Sequence, residues 1–324
     1  MRRTSARSKL AAAVAVLAAT TAFSGLNAGT GGATEQAAAS PTGATASAMG
    51  FGAGTTGGAG GSTVTVGNAS AFISAVQSSG PAIVRVNGTI SLSSMTKVAA
   101  NKTIVGVGTS GRITGSGLNV SKVSNVIIQN IAFSGSNDDA INVEYSTKVW
   151  IDHNEISGAS DGGIDIKRAS DQITVSWNRS RNQNKNMLLG HDDGNGGEDK
   201  GKLRVTYHHN WFDGTTQRNP RVRFGNPVHV LNNYFSNVSS YGVASTKEAG
   251  VLVEGNYFEN TKDPFHLGEG SSPGGSLRAV NNHFVNSGSG QQGGNVNGIP
   301  YGYSADSASS VKSKVTAGAG VGKI

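Results

Sequence analysis

The sequence predicts an all-β fold, a parallel β-helix closed at its start by a short capping helix. Three observations carry that expectation. A short segment of alternating apolar residues running into an asparagine recurs along the chain: KVWIDHNEISG, QITVSWNRSRN, RVTYHHNWFDG, PVHVLNNYFSN, GVLVEGNYFEN and SLRAVNNHFVN. Its asparagines, Asn154, Asn178, Asn210, Asn233, Asn256 and Asn282, are spaced by 24, 32, 23, 23 and 26 residues, the unit length of a solenoid. The apolar period within each copy is two, which suits strands and not helices. The composition agrees: 47 glycines in 324 residues, 6% aromatic and 15% charged, favour strands and turns.

The elements follow in chain order. Residues 1–28 begin MRRTSARSKLAAAVAVLAATTAF, basic and then apolar, and read as a secretory signal peptide with a small-residue exit near LNA. The TSA that follows Arg2-Arg3 is not apolar, which favours general secretion over twin-arginine export. Residues 29–48 are rich in Ala, Gly, Ser and Thr and read as a flexible linker or pro-segment. Removing both segments takes four of the 27 basic and one of the 20 acidic residues, so the net charge falls from +7 to +4. The β-helix domain is expected over 49–324. No later run is long and apolar enough to span a membrane. The absence of cysteine excludes disulfides and thiolate metal sites.

Within the domain, NASAFISAVQS (68–78) offers Asn68 as an N-cap and apolar residues at helical spacing, suited to covering the open end of a solenoid. The coils follow, and NVIIQNIAFSG adds an earlier, looser copy ending at Asn130. The repeated asparagines are expected to stack at turns and hydrogen-bond along the coil axis. The long step from 178 to 210 holds GHDDGNGGEDKGK, a loop insertion of about eight residues. His208-His209 lies beside Asn210 without a third ligand at metal spacing, so turn packing is expected. SSVKSKVTA (309–317) reads as a second short helix near the far end.

The chemistry lies in a second register. Asp139, Asp161, Lys185 and Arg218 are separated by 22, 24 and 33 residues, close to the asparagine steps. The four should occupy similar positions on successive coils, acids at one end of a stripe and bases at the other. Gly162-Gly163 lets the chain bend, so Asp161 and Asp165 can converge. Three converging carboxylates without nearby bases call for a cation, and oxygen-only ligands favour calcium or magnesium over zinc. TTQRNPRVRFG (215–225) crowds Arg218, Arg221 and Arg223 with no acid between Asp213 and Glu248, so these arginines await an anion. Together with Lys185 they suit a substrate bearing repeated carboxylates or sulfates.

WIDHNEIS (150–157), DGGIDIKRASDQITVSWN (161–178), YHHNWF (207–212) and RNPRVRFG (218–225) together resemble the secreted microbial pectate lyases of polysaccharide lyase family 1. The likeness runs from about residue 49, where GFGAGTTGG resembles a mature start, to the C-terminus. It implies a right-handed, single-stranded parallel β-helix, calcium dependence and cleavage of polygalacturonate by β-elimination. By motif it implies Asp139, Asp161 and Asp165 as calcium ligands, Lys185 and Arg223 as binders of uronate carboxylates, and Arg218 as the catalytic base. Arg221 matches no family role and reads as a surface arginine. Some family members carry an acid where this chain has Asn137, and strand alternation would point Asp138 elsewhere. A secreted monomer with a polysaccharide partner and no nucleic-acid or membrane partner is expected. A polygalacturonase would hydrolyse with paired carboxyls, and HDDG (191–194) superficially suits it, but the upstream motif is missing. A pectin lyase would replace the calcium-ligand acids, and a non-catalytic β-helix binder would leave the acid–base stripe unexplained.

Overall fold

A computed structural model describes residues 47–324, so the predicted leader and residues 29–46 of the predicted linker lie outside it. The described chain is a parallel β-helix. Three parallel sheets of ten, eight and nine strands run along it, and each complete coil contributes one strand to each. One coil serves as an example: Ile141–Glu144 joins the eight-stranded sheet, Thr147–Asp152 the ten-stranded sheet and Glu155–Ser157 the nine-stranded sheet. The chain then returns to the eight-stranded sheet one rung on, with Ile141 opposite Ile164 and Asn142 opposite Asp165.

The period of two puts alternate residues inside. Val149, Ile151, Ile156, Ile164, Ile166, Ile173 and Val175 are fully buried in one continuous core. Because each coil repeats the last, like side chains stack on like. Phe212, Phe235, Phe258 and Phe284 form a file with ring centroids 4.6, 4.3 and 5.4 Å apart. Helix α1 (Ala69–Gln77) begins as predicted, with Asn68 Oδ1 accepting the Ala71 N–H at 3.0 Å. Phe72 and Val76, one turn apart, enter the core at the first coil.

The asparagines form the expected ladder. Each Nδ2 from Asn154 to Asn256 donates to the Oδ1 of the next asparagine at 3.0 Å, ending at Asn282. Every Oδ1 in the ladder also accepts the backbone N–H one coil back, as Asn178 Oδ1 does from Asn154 N at 2.9 Å. These buried amides therefore satisfy backbone groups where the chain turns out of strand geometry. The residue before each rung is left-handed, including His153, Trp177, His209, Asn232 and Asn281. Asn130 is a correction. It occupies that left-handed position (φ 57°), and Ile131 takes the ladder position, its N–H donating to Asn154 Oδ1. Asn130 Nδ2 instead donates to the carbonyls of Gly106 and Gly108.

The insertion contains one helical turn, α2 (Gly196–Asp199). Helix α3 (Ala308–Gly318) exists as predicted but does not close the far end. It lies along the flank, where Val311 and Val315 pack against Tyr234 and the rims of Trp177, Trp211 and Tyr257. Two valines four residues apart make too narrow an apolar stripe to plug a core, but they fit a shallow aromatic surface. The chain then runs back toward earlier coils, with Gly320 N donating to Trp177 O and Gly322 N to Asn130 Oδ1. The histidine pair is turn-packed as expected. His209 stacks on Trp177 at 4.3 Å and pairs with Asp306 at 2.8 Å.

Candidate active site

The outer face of the eight-stranded sheet and the turns leading into it collect the predicted acids and bases. Asp139 lies in a bend just before the strand Ile141–Glu144. It is buried, its Oδ1 accepting the Gly162 N–H at 2.8 Å. Asp165 lies on the strand Ile164–Lys167 and is also buried, its Oδ1 accepting the Leu188 N–H at 3.1 Å. Gly162 sits between the two. A Cβ there would fall 2.2 Å from Asp165 Oδ1 and 2.6 Å from Asp139 Oδ1, so only glycine lets the carboxylates close in. Asp161, next to that glycine, is exposed and pairs with Lys185 Nζ at 2.8 Å.

The acids do have a nearby base, which corrects the expectation. Lys167 Nζ lies 2.9 Å from Asp139 and 3.6 Å from Asp165. Lys167 follows Asp165 by two residues, so strand alternation puts both on the outer face, a signal present in IDIK. Burial pushes the Asp165 carboxyl up to about 7, the Asp139 charge adds to the rise, and Lys167 opposes it. Burial also raises Asp139, against the pull of Lys167. Lys167 itself would be lowered by burial, but Asp165 and Asp139 outweigh that and hold it above its usual range. The Lys185 hydrogen bond holds Asp161 below the usual carboxylate range. The pocket is thus a desolvated acid pair with an exposed acid at its mouth.

Asp138 is the second correction. Oxygens of Asp138, Asp139 and Asp161 all lie within 4.8 Å of one another. Residues 137–140 form a bend rather than a strand, so alternation does not govern where Asp138 points. These hard oxygens, backed by the buried Asp165 carboxyl, suit a divalent cation of the calcium type.

Arg218 stands at the basic end with a left-handed backbone (φ 60°). Gln217, just before it, bridges Lys185 in parallel, which puts Arg218 on the rung next to Lys185 and Asp161, and its charge lowers both Asp161 and Asp165. Among the described residues it forms no ion pair, and its buried Nε has no protein partner. Arg221 and Arg223 share the strand Arg221–Arg223, with Val222 pointing into the core between them. Arg223 does have a neutralising partner, Asp193 from the insertion loop, at 2.7 Å from its Nε. The local sequence around the arginines could not show this contact, because it spans 30 residues of chain. Arg221 is not a free surface arginine. It is half-buried, and its Nη2 donates to Glu269 O at 3.0 Å and Ser272 Oγ at 2.8 Å. His191 and Asp192 stay at the exposed loop surface, while Asp193 is committed to Arg223.

The stripe therefore offers a cation-ready pocket, a lysine and an unpaired arginine at its edge, and two further arginines one strand on. Comparison with known proteins shows what this chain is similar to. The family model described as pectate lyase matches residues 6–324. A pectate trisaccharide-lyase from Bacillus licheniformis is 38% identical over 283 residues, covering 81% of this chain and 81% of the relative. A probable pectate lyase A from Aspergillus fumigatus is 37% identical over 262 residues, covering 78% of this chain and 80% of its own. A pectate lyase from Bacillus sp. N165, solved in complex with trigalacturonate, superposes with a TM-score of 0.78 at 33% identity, covering 85% of this chain and 99% of its own.

Proposed function

This chain belongs to the pectate lyase family of polysaccharide lyases, and on that premise we propose that it cleaves polygalacturonate by calcium-dependent β-elimination on the outer face of the eight-stranded sheet. The observation that carries the reading is the pairing of a four-carboxylate pocket with an adjacent arginine that has no counter-ion among the described residues. The relative bound to trigalacturonate supports a uronate substrate. Export fits a cell-wall polymer, and the leader-like residues 1–28 support it.

Asp138, Asp139 and Asp161 would hold the calcium ion, with Asp165 behind them. Calcium held there would supply positive charge that draws electron density from a uronate carboxylate. The chain's own residues do the rest. Lys185, already reaching across to Asp161, is placed to share its ammonium with a substrate carboxylate. Arg223 has Nε committed to Asp193 and Nη1 to Gly190 O, so it meets substrate through its remaining terminal N–H groups rather than a side-on fork. Arg218 is the group placed to take the proton at C5, a step that needs its neutral guanidine, since only that form has a free electron pair, and no carboxylate among the described residues pairs with it to hold the charged form. The negative charge that develops next to the substrate carboxylate then faces Lys185 and Arg223, which stabilise it without reorganisation. The C4 oxygen leaves with the bond electrons and takes a proton from water, and a C4–C5 double bond remains.

Mass spectrometry of the products tests the proposal. Elimination leaves a new non-reducing end one water lighter than hydrolysis does. Polygalacturonate should give that lighter end in the presence of calcium, and highly methyl-esterified pectin should give far less. Products at the hydrolytic mass would replace the lyase reading with a hydrolase, and equal activity on the ester would replace it with a pectin lyase.

A further inference from the structure

We propose that Arg221 binds a second substrate carboxylate, beside the one held by Arg223, and that Ser272 aims both guanidinium groups at the polymer. The proposal rests on reading this sheet as the polygalacturonate groove. Arg221 and Arg223 are two residues apart on one strand, so alternation turns both outward. Their electrostatic situations differ. Arg223 is neutralised by Asp193 at 2.7 Å, whereas no carboxylate among the described residues pairs with Arg221. Its partners are a carbonyl and a hydroxyl, Glu269 O and Ser272 Oγ. The Glu269 carboxylate is turned to His266, 3.2 Å away. The surplus positive charge of the cluster therefore belongs to Arg221.

A half-buried cation with like charges beside it and no counter-ion is costly to keep. The protein nonetheless fixes it in place. Ser272 Oγ accepts from Arg221 Nη2 at 2.8 Å and from Arg223 Nη2 at 3.4 Å, and donates to Asp193 Oδ1 at 2.8 Å. One hydroxyl thus ties the two arginines and Asp193 into a single hydrogen-bonded unit. Burial first, then the Arg223 and Arg218 charges, disfavour the protonated Arg221 and outweigh the opposing pull of Tyr241 and Glu269, and an incoming anion relieves that strain. The register fits a polymer. Asp165 stands opposite Leu188 and Leu188 opposite Arg221, so Arg221 lies two rungs, about 10 Å, along the axis from the acid pocket. A polyuronate lying along the sheet presents its carboxylates in series, one set to the acid pocket and the next to the arginine strand.

The test uses trigalacturonate with calcium on the full protein, and calorimetry to read the dissociation constant. Arg221→Gln keeps a planar donor for Ser272 and removes the charge. It should raise the dissociation constant and the KM for polygalacturonate about tenfold, leave kcat within about twofold, and hold or raise the melting temperature. Arg221→Lys should recover part of the loss. Ser272→Ala, which leaves both charges intact, should weaken binding several-fold. Arg221→Gln should change nothing on highly methyl-esterified pectin, where no carboxylate is there to hold. Unchanged trigalacturonate affinity in Arg221→Gln, or the same loss on the ester, would overturn the assignment. Wild-type protein that neither binds trigalacturonate nor yields unsaturated product would overturn the functional reading instead.

Discussion

Replacing Asp165 by asparagine should stabilise the calcium-free protein above neutral pH and remove much of its pH dependence. The structure supplies the magnitude. Asp165 is buried beside Asp139, and its carboxyl is pushed up to about 7. An unfolded chain would leave it near 4. Between those values the folded protein binds more protons than the unfolded one, so stability falls as pH rises. The contribution is fully present below about 4 and is lost as pH passes 7. Three units correspond to about 4 kcal/mol, an upper bound because Lys167 and Asp139 share the titration. For a domain of about 280 residues, 2 to 4 kcal/mol is a shift of roughly 3 to 7 °C. Asparagine keeps an oxygen for the Leu188 N–H but carries no charge. The assay is thermal unfolding in chelator at pH 5 and pH 8. Wild type should melt lower at pH 8 by several degrees more than Asp165→Asn does. Other groups also titrate in this window, including His266, and the difference between the two proteins removes them. Equal pH slopes in the two proteins would refute the reasoning, and so would a lower melting temperature for the variant at pH 8.

Lys167→Met removes the cation between two buried carboxylates and should cost about 3 to 5 kcal/mol without calcium, with calcium restoring most of it; paired melts with and without the ion check this. Asp161→Ala removes an exposed ligand at the pocket mouth and should raise the calcium needed for half-maximal activity at least tenfold with no loss of apo melting temperature; an unchanged calcium titration would move the metal elsewhere. Asn210→Ala breaks the ladder in its middle, leaving the Asn178 amide and backbone N–H without their acceptor, and should cost about 2 to 4 kcal/mol by chemical denaturation while kcat stays near wild type.

The repeat made the coil architecture legible because each coil buries the same positions, and stacked coils reward the same residue types again and again. The ladder from Asn154 to Asn282 could be read directly for that reason, whereas Asn130 could not be placed. An asparagine also suits the left-handed position one residue earlier, and sequence spacing does not separate the two roles. The acid–base stripe followed from the same register, since Asp161 and Lys185 do meet one coil apart. Lys167 and Arg221 were within reach of the alternation rule, two residues from Asp165 and Arg223, but a reading by motif assigns neither of them a role. Asp193 and Ser272 were out of reach. They come from loops distant in sequence, and no periodicity governs where loops fold back. Asp138 was misplaced because strand alternation was applied to a bend.

The central claim is that the carboxylate pocket and Arg218 act together on a uronate. The most direct measurement is the ultraviolet absorbance of the unsaturated uronide during digestion of polygalacturonate, with calcium titrated into chelated protein, for wild type and Arg218→Lys side by side. Lysine at 218 keeps the charge but loses the reach and planar geometry of the guanidine. The account predicts absorbance from wild type only when calcium is present, and a kcat lower by orders of magnitude in Arg218→Lys with trigalacturonate affinity little changed. Product formed equally in chelator, or near-normal turnover by Arg218→Lys, would contradict it.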